Sequence, residues 1–521
     1  MADVVIIGGG LNGLVAGALL AKRHKSVLIL ERRPIAGGAA VTAEIAPGFR
    51  APILSHALGP LDPDVTRALG LDSAGLQIVH SDPALVSIAP GGRTVAFSRD
   101  AAATASGLAA VSASDAQRWP AFVQTMDRLG GVLDAINHRP APDLDRIAPR
   151  DWIDLLAIGR TARRLDKRTL AKLTRYVPMA VADLAGEWFE TDQIRAAISA
   201  HAVFGNLAGP WSAGTGGMLL QRIASDRLPV GSGATTKGGP GAVADAIRQI
   251  AERAGAQIRT GAEVTRIQVR DGRVTGLVLG DGIEVAATTV IAAVDPRQTF
   301  LKLVDPAHVP PTFLDRMRHY RARGVTAKIN LALDTTPAMA TSAGTRAPAR
   351  WLIAPAVDDI ERAFDAAKYG DLSPRPWLDI AIPTLHDPSL APAGKHVMSI
   401  VAHFAPRALR QGTWAERRDE IARNAIAVLT ECSSGIDRQI AALQIVTPED
   451  LEQQWGLSGG HIFQGEPTID QLWAARPLLG WARHRSPVAG LFMASAGTHP
   501  GGGLTGLPAL LAAARVGDAT S

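Results

Sequence analysis

The chain of 521 residues is 47% hydrophobic and 20% charged, a composition typical of a soluble protein with room for two domains. Its 54 Lys and Arg stand against 49 Asp and Glu, and this small excess does not indicate a nucleic-acid-binding protein. The single cysteine, Cys432, excludes an internal disulfide and a Cys-x-x-Cys redox pair.

Two features of the sequence bear on the location of the protein. The first predicted strand begins at Val4, which leaves no room for a signal peptide or transit peptide. No run of about 18 apolar residues without charges occurs, so no transmembrane helix is predicted. We therefore expect a cytoplasmic protein.

The first stretch of the chain carries a nucleotide-binding pattern. The apolar residues Val4 to Ile7 predict a buried parallel strand. A G-x-G-x-x-G turn follows, formed by Gly8, Gly10 and Gly13, and it opens a predicted helix. Such a turn allows the backbone to approach a pyrophosphate, and the helix N-terminus offers unpaired N–H groups to the phosphates.

A second predicted strand, Ser26 to Leu30, ends at Glu31, where an acid accepts hydrogen bonds from a ribose. The spacing E-x5-G-G-x3-T then resembles the extended fingerprint of FAD enzymes of the amine oxidase and phytoene desaturase type. The resemblance implies FAD rather than NAD. The FAD-binding residues predicted in this segment are Gly8, Gly10, Leu11, Asn12, Gly13, Glu31, Arg32, Gly37, Gly38, Ala39 and Thr42.

The next part of the chain is a loop followed by a mainly helical region. Residues 47–61 are punctuated by Gly and Pro, and we interpret His56 within them as a packed or solvated loop histidine. From about 100 to 225 the pattern is mainly helical. Ser114 and Gln117 form a predicted capping box that opens a helix toward Asn137.

A basic amphipathic stretch lies inside the helical region. Apolar residues precede seven cations, with Asp166 opposing them: Trp152, Ile153, Leu155, Leu156 and Ile158, then Arg160, Arg163, Arg164, Lys167, Arg168, Lys172 and Arg175. One interpretation is a solvated helix face. The other is a face that lies on a membrane surface.

Alternation of apolar and polar residues returns in the middle of the chain. After a helix over 242–253, strands are predicted over 257–260, 264–269, 274–279, near Val285 and over 289–293. A helix, a strand and a β-meander form the usual middle part of an FAD domain, and Val264 is a predicted FAD contact. The predicted Rossmann sheet is therefore discontinuous in sequence.

The last third contains a second predicted sheet and a glycine-rich turn. Strands are predicted over 325–333, 378–382 and 397–404, and helices begin after Thr413 and Thr447. Near the C-terminus an apolar strand reaches Gly497, and a helix is predicted to begin near Leu504. The N–H groups of that helix would stabilise negative charge on a flavin. The predicted contacts there are Gly497, Gly503, Leu504 and Thr505.

The whole chain resembles the phytoene desaturase-like branch of flavin oxidoreductases, from the first strand to GTHPGGGLTG over 497–506. The segments 182–213 and 459–477 resemble the subfamily of pyridine nucleotide-disulfide oxidoreductase domain-containing protein 2. The resemblance implies an α/β fold of the amine oxidase type: a discontinuous Rossmann-type FAD-binding domain with a β-meander, plus an α+β substrate domain. We predict the first over 1–99, 226–300 and 451–521, and the second over 100–225 and 301–450.

Two residues are candidates for chemistry. Lys328, in a predicted strand, resembles the lysine that holds a water near flavin N5 in amine oxidases; alternatively it points to solvent. His499 precedes the predicted flavin-facing helix and either contacts flavin or substrate or braces the turn. Many relatives place an acid after the glycine of this last strand, whereas Thr498 follows Gly497 here, which weakens the predicted ribityl contact.

These observations predict an enzyme that binds FAD non-covalently and accepts a hydride from a largely apolar substrate. The alternatives are a flavin amine oxidase, a flavin-dependent isomerase and a non-enzymatic flavoprotein scaffold. The predicted partner is a hydrophobic small molecule, with peripheral membrane contact through the basic stretch. No nucleic acid and no metal are expected, and the oligomeric state stays open.

Overall fold

The computed structural model describes residues 2–56, 61–142, 149–341 and 347–520. Its strands form two larger sheets and three smaller ones. In chain order the strands are β1 (Val4–Ile7), β2 (Val27–Leu30), β3 (Thr42–Ala46), β4 (Phe49–Pro52), β5 (Ile78–His80), β6 (Leu85–Ile88), β7 (Thr94–Phe97), β8 (Ala234–Thr236), β9 (Gln257–Arg259), β10 (Val264–Arg270), β11 (Arg273–Leu279), β12 (Glu284–Ala286), β13 (Val290–Ala292), β14 (Thr326–Leu333), β15 (Arg350–Ile353), β16 (Trp377–Ala381), β17 (His396–His403), β18 (Ile440–Val446) and β19 (Leu491–Met493).

The helices alternate with these strands and cover both larger sheets. A π-helical segment, Thr299–Leu303, continues one of them. In chain order the helices are α1 (Leu11–Ala21), α2 (Pro63–Leu69), α3 (Ala101–Leu108), α4 (Ala113–Asn137), α5 (Pro149–Arg163), α6 (Lys167–Tyr176), α7 (Val181–Trp188), α8 (Asp192–Val203), α9 (Thr215–Asp226), α10 (Pro240–Arg253), α11 (Pro296–Gln298), α12 (Pro311–Arg318), α13 (Ala338–Thr341), α14 (Val357–Lys368), α15 (Trp414–Cys432), α16 (Pro448–Trp455) and α17 (Leu507–Thr520).

The first larger sheet is the predicted Rossmann sheet. Its five strands are all parallel, in the order β19-β13-β1-β2-β9, so it draws on both ends and the middle of the chain as predicted. Strand β1 is fully buried because helices cover one face of the parallel sheet, while antiparallel strands and α12 pack on the other face. Helices α10 and α17 pack against α1, and their apolar residues form one core.

A smaller antiparallel sheet, β10-β11-β12, is the predicted β-meander. Its turn at Asp271 and Gly272 uses the left-handed backbone region, with φ of 50° and 71°. The apolar residues of this sheet pack with the underside of β1 and β13 in a second core. The meander therefore belongs to the Rossmann part of the molecule.

The second larger sheet has seven strands in the order β18-β14-β17-β16-β15-β6-β7. Strand β14 pairs with β17 along its whole length, and all eight of its residues are buried, which accounts for its apolar sequence. The strands predicted over 325–333, 378–382 and 397–404 are confirmed to within one residue. Strands β6 and β7 lie within the range 1–99, yet they pair in this sheet.

Helix ends confirm some predicted caps and correct others. Thr413 makes the predicted capping box, and the helix predicted after Thr447 begins there with Pro448 at its first position and with a capping box of its own. The predicted box at Ser114 is wrong, because α4 is capped by Ser112, whose hydroxyl accepts from the N–H of Asp115 at 3.1 Å. The carboxylate of Asp115 is buried and binds the N–H groups of residues 190 and 191, which fixes where the first turn lies.

The C-terminal helix also begins later than predicted. Helix α17 starts at Leu507 rather than near Leu504. Gly506 has φ of +74°, a left-handed conformation that cannot belong to the helix, and the hydroxyl of Thr505 accepts from the N–H of Leu507 at 3.3 Å. Among the described residues, no helix combines the length and apolar character needed to cross a bilayer.

Candidate functional site

A cavity of about 910 Å³ is lined by residues of the Rossmann sheet, of the seven-stranded sheet and of the helices between them. The G-x-G-x-x-G turn and the C-terminal glycine-rich turn lie at one part of its wall. Strands β14, β15 and β16 form another part. The two parts of the cavity are built in different ways.

The three fingerprint glycines are required for three separate reasons. Gly8 has φ of +97°, which other residues rarely adopt. A Cβ on Gly13 would lie 1.9 Å from the carbonyl oxygen of Gly8, so the helix packs too closely on the turn for any side chain. Gly10 has an ordinary extended backbone, and a Cβ there would meet only Gly38 Cα, at 3.7 Å. Its missing side chain leaves space in the cavity wall.

Glu31 lies at the end of β2, as predicted, and lines the cavity. Its carboxylate accepts from the N–H of Gly9 at 2.7 Å and of Arg33 at 2.9 Å, which fixes its orientation. Arg33 also lines the cavity: its guanidinium lies 4.7 Å from the ring of Trp455, and its Nη1 is buried without a hydrogen-bond partner. Both groups offer polar atoms to a nucleotide.

The predicted contact Arg32 points away from the cavity. Its guanidinium donates to the carbonyl of Gln453 at 3.1 Å and lies 3.9 Å from the carboxylate of Glu263. The sequence analysis named Arg32 alone, and the two arginines lie in the bend after β2, where Arg32 binds Gln453 and Arg33 reaches the cavity. Arg33 therefore takes the position that the sequence analysis gave to Arg32.

The structure brings most of the other predicted cofactor residues into the cavity wall. Those that line it are Gly8, Gly10, Leu11, Asn12, Glu31, Gly38, Ala39, Gly503, Leu504 and Thr505. Those that are absent from the wall, within the described residues, are Gly13, Arg32, Gly37, Thr42, Val264 and Gly497. Thr42 instead accepts from the N–H of Gly241 at 3.1 Å, and Gly497 accepts from the hydroxyl of Tyr320 at 3.0 Å.

A dinucleotide with a pyrophosphate fits this part of the wall. The N-terminus of α1 faces the cavity, with Leu11 and Asn12 in the wall. The side-chain oxygen of Asn12 is buried without a partner, as is Nη1 of Arg33. Buried polar atoms of this kind call for a ligand or water, because leaving them unpaired costs about 1–3 kcal/mol each.

The facing wall carries a row of charged side chains on the seven-stranded sheet. Lys328 on β14 and Asp379 on β16 both pair with Val401 of the strand between them, so their side chains lie on the same face. Arg350 on β15 donates to both oxygens of Asp379, with 3.0 Å from Nε to Oδ1. All three charged residues are buried and line the cavity.

His56 completes this group from the loop after β4. It is 6% exposed, so the interpretation as a solvated loop histidine is wrong, and it is packed in the cavity wall. Its Nε2 lies 2.8 Å from Oδ1 of Asp379, and its Nδ1 lies 2.7 Å from Nζ of Lys328. Lys328 is only 4% exposed, which excludes its interpretation as a lysine that points to solvent.

Burial dominates the ionisation of this group. It lowers the pKa of His56 to about 4, with Lys328 adding to the effect, and it lowers the pKa of Lys328 well below 10.5. Burial alone would raise the pKa of Asp379, but Arg350 and the hydrogen bond with His56 outweigh it and lower that pKa. His56 is therefore neutral near pH 7 and Asp379 is ionised, while burial favours the uncharged form of Lys328.

His499 is fully buried and is not among the residues that line the cavity. Its Nε2 lies 2.9 Å from the carbonyl oxygen of Arg139, a residue that does line the cavity. This placement does not favour the predicted direct contact of His499 with flavin or substrate. The ring instead braces the glycine-rich turn against the end of α4, the second role considered for it.

Aromatic and aliphatic side chains line the space beside the charged row. They are Phe204, Phe463, Ile462, Leu472 and Leu54. The guanidinium of Arg222 lies 5.0 Å and 5.4 Å from the rings of Phe204 and Phe463. Sequence reasoning identified none of these residues, because they come from separate loops and helices and share no local motif.

The sequence profile of the family "Flavin containing amine oxidoreductase" matches residues 11–509. The chain is 33% identical to pyridine nucleotide-disulfide oxidoreductase domain-containing protein 2 of Rattus norvegicus, over 97% of this chain and 91% of that protein. It is 24% identical to phytoene desaturase (neurosporene-forming) of Rhodobacter capsulatus, over 97% and 91% of the two chains.

A solved structure supports the fold. Cyclohexylamine oxidase from Brevibacterium oxydans superimposes with a TM-score of 0.59 at 16% identity, over 100% of this chain and 99% of that chain. At this identity the likeness concerns the fold alone. The predicted amine oxidase and phytoene desaturase-like architecture is confirmed.

Proposed function

Because the chain belongs to the family of flavin containing amine oxidoreductases, we propose that it binds FAD non-covalently and oxidises a substrate with a largely apolar body. When bound, the flavin supplies an acceptor for a hydride. The observation that carries the proposal is one cavity whose wall combines the dinucleotide fingerprint with the buried group around Lys328.

The choice of FAD rests on the turn and strand end that face the cavity. Gly10 and Gly38 keep the wall open beside the N-terminus of α1, and Glu31 stands where a ribose would lie. Non-covalent binding is supported by Cys432, which is packed on α15 beneath the seven-stranded sheet and does not line the cavity.

An apolar substrate body is supported by the aromatic and aliphatic residues of the wall. The relative from Rhodobacter capsulatus is named for the desaturation of phytoene, a hydrocarbon. The second candidate is oxidation of an amine. It is supported by the family description and by the burial of Lys328, which lowers the pKa of its amine and so weakens repulsion of a cationic substrate.

The test is anaerobic reduction of the bound flavin by a panel of polyenes, terpenes, acyl compounds and amines. Bleaching of the flavin absorbance by an apolar compound is the expected result. Bleaching by amines alone would replace the proposal by the second candidate. Bleaching by none, in a protein that holds FAD, would overturn both and favour an isomerase or a scaffold.

We also propose that the helix pair α5 and α6 docks on an anionic bilayer. Trp152, Ile153 and Leu156 on α5 are 58%, 68% and 65% exposed, and we call them the apolar patch. Six exposed cations follow the apolar patch, namely Arg160, Arg163, Arg164, Lys167, Arg168 and Arg175, the last paired with Glu187. Charge complementarity with anionic lipid is worth about 1 kcal/mol per basic residue near the surface.

The opposite side of α5 connects with the cavity. Asp154 on this helix accepts from the guanidinium of Arg139 at 3.0 Å, and Arg139 lines the cavity. The carboxylate of Asp151 on the same helix accepts a hydrogen bond from the guanidinium of Arg483. A bilayer on the apolar patch would therefore lie next to an element that holds the cavity wall, which suits a substrate dissolved in lipid.

Vesicle flotation tests the membrane proposal. We expect binding to phosphatidylcholine vesicles that contain phosphatidylserine and little binding to phosphatidylcholine alone. Replacing Ile153 and Leu156 by Ser should reduce binding, whereas Tyr369→Ser, at a residue 63% exposed elsewhere, should not. Equal binding to both vesicle types, or by all variants, would contradict docking through this face.

A further inference from the structure

The buried group on the seven-stranded sheet is a chain of hydrogen bonds with a fixed direction. A carboxylate only accepts, so the contact of 2.8 Å between Asp379 and Nε2 of His56 places the hydrogen on Nε2. Nδ1 of His56 is then an acceptor, and the contact of 2.7 Å with Lys328 is a bond that the amine donates. The direction runs from Lys328 through His56 to Asp379.

Arg350 holds the far end of the chain in place. It binds both oxygens of Asp379 through Nε and a terminal nitrogen, a bidentate geometry that fixes the carboxylate plane. Because Asp379 is only 1% exposed, its carboxylate oxygens are shielded from bulk water. The imidazole therefore has one orientation, and so does the amine that bonds to it.

Lys328 has bonding capacity left on the side of the cavity. An uncharged amine has two hydrogens and one lone pair, and the structure gives Lys328 a side-chain hydrogen bond to His56. Its other hydrogen and its lone pair stay available to a molecule in the cavity, whose wall includes Lys328. A lone pair in that position can accept a proton.

We propose that His56 and Asp379 are positioning residues which hold Lys328 as the base of the reaction. The inference rests on the proposed function. One C–H bond of the substrate breaks with loss of a hydride, for which the flavin would supply the acceptor when bound. The proton on the neighbouring atom goes to Nζ of Lys328, and the pair of electrons it leaves behind forms the new double bond. Asp379 stabilises the resulting ammonium through His56.

Other charged and titratable groups face this relay from neighbouring elements. They are Arg350 on β15, His403 on β17, Arg222 and Asp226 on α9, and His201 on α8. Burial lowers the pKa of His403 to about 3 and that of His201 well below 6.5, so both rings are neutral near pH 7. Among the groups named here, Lys328 differs in that it lines the cavity and is joined through His56 to a buried carboxylate, which suits it to take up a proton.

Trace acetylation of the holoenzyme with isotopically labelled acetic anhydride tests the relay without substrate. The labelling of Lys328 is followed by mass spectrometry across pH, with exposed Lys302 as the internal reference. We expect His56→Leu and Asp379→Asn to move the labelling profile of Lys328 to lower pH, because each removes a group that stabilises the ammonium. His386→Leu, at a half-buried histidine outside the cavity wall, is the matched control and should leave it unchanged.

The reductive half-reaction is then measured with a substrate found in the panel. Lys328→Met should lower the rate roughly 10²–10⁴-fold and His56→Leu about tenfold, and His56→Gln, which can donate and accept at once, should recover part of the rate. The pH profile of His56→Leu should shift in the same direction as its labelling. An unchanged labelling profile in correctly folded His56→Leu with full FAD content would overturn the relay. Shifted labelling with no substrate turnover would leave the relay standing and reject the oxidoreductase proposal.

Discussion

The two parts of the cavity wall differ in the kind of residues that form them and in how far apart those residues lie in the sequence. The nucleotide side consists of glycines and a few polar side chains from residues 8–39, with the C-terminal turn beside them. The facing side consists of side chains from the loop at His56 and from three strands that are far apart in sequence. The first is a local conformation, whereas the second exists only when a large sheet has formed.

This difference has consequences for how each side tolerates change. On the nucleotide side, space is the critical quantity, because an added Cβ occupies the position of a ligand or of the backbone. On the facing side, charge is critical, because Asp379 and Arg350 are buried together and neither is stable alone. Substitutions that change size and substitutions that change charge therefore separate the two sides.

The largest effect is expected for Gly10→Val. The backbone there is ordinary, so the variant should fold, but its side chain would fill the wall where the pyrophosphate approaches. We expect FAD affinity to fall by more than about 100-fold, the loss of a charged hydrogen bond or more. Flavin absorbance per protein measures this, with Gly107→Val, which meets nothing within 4 Å, as the control. Normal FAD content in Gly10→Val would refute the placement.

The next effect is expected for Arg350→Met on the facing side. It leaves the carboxylate of Asp379 buried without its partner, and we expect the free energy of unfolding to fall by about 3–5 kcal/mol. Urea unfolding of the holoenzyme measures it. Adding Asp379→Leu should restore much of the stability, because an apolar pair replaces an unpaired charge. A single variant as stable as the parent chain would contradict the buried pair.

A smaller effect separates the two neighbouring arginines. Arg33→Ala removes a guanidinium with a buried unpaired nitrogen in the wall, and we expect FAD affinity to fall roughly tenfold. Arg32→Ala removes an exposed pair with Glu263 and should change the affinity by less than roughly twofold. Equilibrium titration with FAD gives both values. The reverse order would restore Arg32 as the cofactor contact.

The smallest effect concerns His138, which bonds to Asp62 at 2.8 Å and also faces Asp134. Hydrogen bonds with Asp134 and Asp62 raise the pKa of His138 from 6.5 to about 11. The stabilisation is therefore complete below pH 6.5 and is lost as the pH rises through about 11. His138→Gln should lower the melting temperature most at the acid end of this range. A difference that does not shrink with rising pH would contradict the assignment.

The sequence alone determined the nucleotide side and most of the strands. The glycine spacing, the buried strand β1 and the acid at the end of β2 lie within a short segment, so local periodicity and turn chemistry suffice to read them. The capping box at Thr413 and the helix start at Thr447 were predictable for the same reason. The helix cap at Ser114 was wrong by two residues, because the position of Ser112 depends on which atoms pack nearby, and the choice between Arg32 and Arg33 as the cofactor contact stays a prediction.

Only the tertiary structure decided the facing side. Lys328 stood out in the sequence by resemblance, but its partners did not, because His56 is a single histidine in a loop and Asp379 a single acid in a strand. They meet because β14 and β16 both pair with β17 in matching register, which puts alternate residues on one face. Burial then lowers the pKa of Lys328 and of His56, a property that depends on the surrounding core and not on either residue.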